Sequence, residues 1–209
     1  YALSILLSPT VQIPIPPLAE LQLSPIFHWL QMLFASDKYK EPEYNILSSM
    51  GNIEIRQYGS YVVAKTSLDI NQNEENNMFR TLASYIFGNN EKEESIAMTA
   101  PVTTYTDEQS QHMIFYMLDA ENANELPNPN GQSIEFEEFY LGKCVVISFS
   151  WFTTQGRIDY YTNQLKKYIS DNQLKVKPTY MLNRYDPPWK LPFLRRNEIL
   201  VQIDEGAWL

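Results

Sequence analysis

The side chains able to carry acid–base, nucleophilic or metal chemistry are few and scattered. His28 and His112 lie far apart and form no ligand-spaced motif, so a protein-only transition-metal site and a histidine-based hydrolytic triad both lack their parts. Cys144 is the single cysteine, which excludes an internal disulfide and a thiolate cluster with zinc-site spacing and leaves the redox compartment open. It leads an apolar strand, where a buried, inert thiol is expected. Glu54, Glu135 and Glu198 are available carboxylates, but no spacing places two of them together or beside a nucleophile, as general acid–base catalysis requires. Binding or structural work is therefore expected rather than turnover. Acidic groups outnumber basic ones 25 to 16, and the net charge of −9 would repel a phosphate backbone, so nucleic acid is not expected as a partner.

The elements that must position any site follow from periodicity. With 44% hydrophobic and 20% charged residues among 209, the chain has the composition of a folded globular protein. Residues 44–47 and 53–58 alternate in strand fashion around the turn signal Met50-Gly51-Asn52, and residues 61–68 form another β-rich run. Phe79, Leu82, Ala83 and Ile86 then recur at helical spacing before Gly88 supplies a stop. Residues 96–104 and 113–118 return to strand character, and the Pro- and Asn-Gly-containing stretch 126–131 is a loop. The second half repeats this order. Strands at 134–139 and 144–149 precede a helix faced by Ile158, Tyr161, Leu165 and Ile169, capped by Thr153 or Thr154, and strands at 180–185 and 199–203 follow. The expectation is an α+β fold of duplicated β-β-α-β-β halves, forming a curved, mostly antiparallel sheet or distorted β-barrel with two flanking helices.

Residues 1–40 stand apart as an apolar, Pro-rich extension. The first 35 residues carry one charge, Glu20, and five prolines, which deny a continuous helix; residues 26–34 make at most a short apolar helix, too short to span a bilayer. Such an arm suits docking to a protein assembly or a membrane surface, the alternative role being an accessory subunit of a larger assembly. The chain begins with Tyr1 rather than Met, and removal of a presequence would suit a mitochondrial, plastid or extracytoplasmic destination. The ordered domain is expected over residues 41–204, with 205–209 as a tail.

Four strings within that domain carry a more specific signal: EPEYNIL at 41–47, IEIRQYGSYVVA at 53–64, SIAMTAPV at 95–102 and RYDPPWKLPFLRRNEILV at 184–201. In order and spacing they resemble the SOUL heme-binding family. The resemblance implies a duplicated, barrel-like domain with two helices and noncovalent binding of heme or a related tetrapyrrole, as a carrier or buffer without chemistry of its own. A subset of that family has a histidine, proposed as heme ligand, where this chain has Gln57, whose amide is a poor substitute for imidazole.

In members that lack the histidine, binding is attributed to an apolar cleft between the first helix and the loop before the last strand. The matching positions here are Met78, Phe79, Leu82 and Ile86 on the helix, and Pro187, Pro188, Trp189, Leu191 and Phe193 in the loop. Such surfaces suit a flat macrocycle, and Lys190, Arg195 and Arg196 are candidates to pair with its carboxylates. A plainer reading stands beside each. The helix stripe is also what a core-facing helix needs, Arg196 and Glu198 share a strand face and suit a surface pair, and Met98 suits packing as well as iron. His112, after a polar turn, reads as an exposed imidazole, and His28 reaches a cofactor only if the extension folds back.

Overall fold

The computed structural model describes residues 39–70, 75–131 and 133–204. Expectations for the extension, its short helix, His28 and the tail lie outside the described residues. Nine strands run in chain order: β1 (Tyr44–Met50), β2 (Ile53–Tyr58), β3 (Ser60–Asp69), β4 (Val102–Thr106), β5 (Ser110–Tyr116), β6 (Glu135–Tyr140), β7 (Lys143–Phe149), β8 (Val176–Arg184) and β9 (Asn197–Ile203). Helix α1 (Glu75–Ile86) follows β3, and α2 (Gln155–Asp171) follows β7. Thr154 is the N-cap of α2, although its hydroxyl makes no capping bond.

One sheet contains all nine strands, in the order β1-β2-β7-β9-β8-β4-β5-β3-β6, and every neighbouring pair is antiparallel. Setting β1 aside, the order is a palindrome under exchange of β2 with β6, β3 with β7, β4 with β8 and β5 with β9. The two β-β-α-β-β halves are thus related by a pseudo-two-fold axis through the central β4–β8 pair. The barrel alternative does not hold: β1 pairs only with β2 and β6 only with β3, so the sheet curves but stays open. Glu135, Glu137 and Glu138 on β6 place charge along one free edge, a common defence against edge-to-edge pairing.

The strand expected over 96–104 begins only at Val102. Pro101 has no N–H to give a ladder, and the buried Thr99 donates its hydroxyl to the Tyr116 carbonyl at 2.7 Å. Alternation divides the core between the faces of the sheet. Val145, Ile147, Ile199 and Val201 pack under α2 with Leu165 and Ile169, whereas Cys144, Val146 and Leu200 join Tyr58, Ile114 and Tyr116 on the helix-free face. Under α1, Met78, Leu82, Tyr85 and Ile86 meet Val62, Ala64, Met113 and Phe115.

The corner between β6 and β7 turns at Gly142, whose φ is +59°. A β-carbon there would approach the Tyr140 ring to 2.8 Å. Gly142→Ala is expected to lower stability by about 1 kcal/mol or more, through backbone strain plus displacement of that ring, read as a reduced urea midpoint at unchanged slope.

Candidate functional site

The loop between β8 and β9 is held away from the core as a presented surface. Trp189 is 58% and Phe193 55% exposed, and Pro188 and Leu194 are exposed beside them. Pro187, Leu191 and Lys190 are half-buried. The loop's partners lie just after β7, because pairing of Phe149 with Asn197 brings residues 151–153 alongside it. The Trp151 N–H donates to the Pro192 carbonyl at 2.8 Å, and the Asn197 amide donates to the Trp151 carbonyl at 2.9 Å. These two bonds hold Trp151 at φ +79°, a region costly for a bulky side chain, with its ring half-exposed 6.5 Å from Phe193. Phe152, also half-exposed, lies under the Arg195 guanidinium at 4.8 Å. Trp151 and Phe193 therefore lie together at the surface, near Phe152, and Trp189 and Leu194 are exposed on the same loop as Phe193.

The basic side chains expected to meet ligand carboxylates are mostly committed within the protein. Arg195 donates to the carbonyls of Lys190, at 2.9 Å, and Pro188, so it clamps the loop. Lys190 is ion-paired with Asp186. Arg196 pairs with Glu41 at 2.5 Å and stacks on Tyr185 at 3.6 Å, which overturns its expected surface pair with Glu198. Sequence reading missed the cation that this surface does offer. Arg157, in the first turn of α2 and 6.0 Å from the Trp151 ring, has a buried Nε with no hydrogen-bond partner. The signal available in sequence was the Trp-Phe pair between a strand and a helix start, two aromatics where a polar turn is ordinary.

The helical part of the expected cleft is arranged differently. Met78, Leu82 and Ile86 are 0–2% exposed and face the sheet, packed into the core. Phe79 alone of the four is exposed, at 42%, with its ring 5.6 Å from Phe115. Helix α1 packs on β3 and β5, and its first turn approaches the base of the loop, where Glu75 meets Arg184 at 2.6 Å and Arg184 also donates to Thr153. Cys144 is fully buried, and burial pushes its thiol up to about 12.

Other polar groups are accounted for internally. His112 is not exposed as expected: its Nδ1 meets the Ser67 hydroxyl and its Nε2 the Asp107 carboxylate, both at 2.8 Å, and its ring stacks on Tyr105. Met98 packs against the core beneath α1. Gln57 is half-buried and donates to the Tyr58 carbonyl. Glu54 and Glu198 are brought together after all, on either side of the buried Arg56: its Nε binds Glu54 at 2.7 Å and its Nη1 and Nη2 bind Glu198 at 3.0 Å. The Tyr58 hydroxyl accepts from Arg56, and the Tyr185 hydroxyl donates to Glu198. Burial alone would lower the Arg56 pKa, but the bonded Glu198 more than offsets it and the shift is upward. Burial likewise drives Tyr185 well above its ordinary value. Arg56 and Glu198 are buried at the centre of this cluster, and its chemistry is that of a structural network.

An open, palindromic antiparallel sheet carrying two helices, with an aromatic loop before the last strand, defines an α+β domain of two fused repeats. The family model described as SOUL heme-binding protein matches residues 39–202, and the chain belongs to that family. Among curated proteins it is similar to human Heme-binding protein 2, with 30% identity over 165 residues, covering 74% of this chain and 80% of that protein. In fold it is similar to the EcmrR C-terminal domain, with a TM-score of 0.55 and 12% identity over 77% of this chain and 98% of that one. A hydrolase from Listeria innocua gives a TM-score of 0.54 at 10% identity, covering 76% and 94%.

Proposed function

We propose that the domain over residues 41–204 binds heme or a related tetrapyrrole noncovalently on the surface formed by the 186–196 loop and residues 151–157, as a carrier or buffer rather than an enzyme. Family membership supports a heme-type ligand. The observation that carries the placement is Trp151, fixed by two loop hydrogen bonds in a costly backbone conformation with its ring beside Phe193 at the surface.

The residues present fit the macrocycle better than its metal. Trp151, Trp189 and Phe193 offer π-faces and apolar edges, and each aromatic side chain carries about 150–250 Å2 of surface to bury. Arg157, half-buried and 6.0 Å from the Trp151 ring, brings a guanidinium suited to a propionate, while Arg195 keeps the loop in shape. Both ring nitrogens of His112 are engaged and Gln57 is turned to its own backbone, which supports a complex without a strong axial ligand from the domain. When bound, the group would supply its own redox and ligand chemistry; the chain would bind, orient and partly shield it.

Titration of the purified protein with hemin, followed by absorbance, tests this reading. Trp189→Ala is expected to weaken binding about tenfold or more, about 1.4 kcal/mol, whereas Gln57→Ala leaves it unchanged. Arg157→Gln should weaken hemin but not its dimethyl ester, which lacks the partner charge. Absence of saturable binding, or loss on His112→Ala with Trp189→Ala silent, would replace this model with a different site or function.

A further inference from the structure

A second concave surface lies between the helices. The palindromic strand order puts β4 and β8 at the centre of the sheet, with α1 and α2 on the same face to either side, and the space between them is a cavity of about 450 Å3. That volume is within the range of small-molecule sites, about 300–1,000 Å3. Its lining includes Ile158 from α2, Tyr180 and Leu182 from β8, and Thr104 from β4. Arg184 and Glu75 bring opposite charges to the same lining.

Those two charges are not held alike. Arg184 projects from the end of β8 and donates to the hydroxyls of Thr153 and Thr104, both at 3.2 Å, besides meeting Glu75 at 2.6 Å. Its side chain is 26% exposed, against 45% for Glu75. The three contacts use Nε and Nη1, so Nη2 is the donor offered to an incoming group. The first turns of both helices also border the cavity, through Glu75 and Gln155, and the positive ends of their dipoles favour an anion. Within a lining that also carries Gln111, His112 and Thr162, a fixed cation beside the apolar stretch of Ile158, Tyr180 and Leu182 suits an amphipathic acid. We propose that the groove is a binding site for a monocarboxylate with an alkyl or aromatic body, its carboxylate on Arg184 and its body along Ile158, Tyr180 and Leu182. Glu75 acts as a competing internal carboxylate that tunes affinity downward.

Calorimetric titration of the full chain with dodecanoate below its micellar concentration, with dodecyltrimethylammonium as the oppositely charged control, tests the proposal. Dodecanoate should bind at one site and the ammonium should not. Arg184→Gln should weaken dodecanoate at least tenfold, Glu75→Gln should tighten it several-fold by removing a like charge, and Trp189→Ala should change nothing. Should Arg184→Gln fail to fold, the Glu75→Gln result decides. The proposal is overturned if dodecanoate does not bind, if its affinity is indifferent to these groove substitutions, or if the ammonium binds and Glu75→Gln abolishes it. Loss of dodecanoate binding in Trp189→Ala would also overturn it, by placing the acid on the aromatic loop, whereas hemin binding reports on that loop independently.

Discussion

Glu198→Ala is expected to cost about 3–5 kcal/mol of folding stability, because it strips a buried guanidinium of its bidentate partner and leaves the charge uncompensated. Arg56 and Glu198 side chains are 4% and 1% exposed, so water cannot replace the lost bonds. The Tyr185 hydroxyl, which donates to the same carboxylate at 2.7 Å, would be orphaned as well. Arg56→Met should cost a similar amount. The double variant Arg56→Met with Glu198→Ala should lose less than the two single losses summed, since two charges are removed together and no buried ion remains. Urea unfolding of all four proteins closes a double-mutant cycle, and a coupling of about 2 kcal/mol is expected. Additive losses within about 0.3–0.5 kcal/mol would show that the pair acts independently and is not the centre of this network.

Leu82→Ala carries the second large effect, about 2–5 kcal/mol, because the side chain is fully buried against the sheet and its removal leaves a cavity. The informative comparison is with hemin affinity measured on the folded protein. If α1 contributes core rather than ligand surface, Leu82→Ala should leave that affinity within about twofold, the range of ordinary context effects. Phe79→Ala, at a 42% exposed position, should cost far less stability. A Leu82→Ala protein of near-normal stability that no longer bound hemin would return the helix stripe to the binding site.

Local pattern carried much of the fold. Alternation around Met50-Gly51-Asn52 identified the β1–β2 hairpin, and the repeat of strand and helix spacings led to the duplicated halves that the palindromic sheet displays. Closure was not legible, since whether β1 and β6 meet depends on accumulated curvature rather than on either strand's residues. The same distinction separates the readable from the unreadable in the candidate site. The aromatic loop was visible because Pro187, Pro188, Trp189 and Phe193 are neighbours in the chain. Its partners were not, because Trp151 and Phe152 reach it only through the β7–β9 register, and Arg56 reaches Glu198 across 142 positions. Helical periodicity correctly grouped Leu82 and Ile86 but could not say whether a ligand or a sheet lay opposite. Long basic side chains misled for a related reason: Arg195 and Arg196 look like ligand cations in sequence, yet both bind groups that the fold brings to them.

The positions of β2 and β6 also bear on how the two halves depend on each other. Joined to β3 through the single residue Gly59, β2 lies beside β7 of the second half; β6, joined to β7 through Leu141 and Gly142, lies beside β3 of the first. Each repeat has lent its opening strand to the other, as subunits do in a domain-swapped dimer, except that here the two are joined in one polypeptide. A half produced alone would lack the strand its partner lends, and would have to fold its own opening strand into that vacated place or exchange it with a second chain.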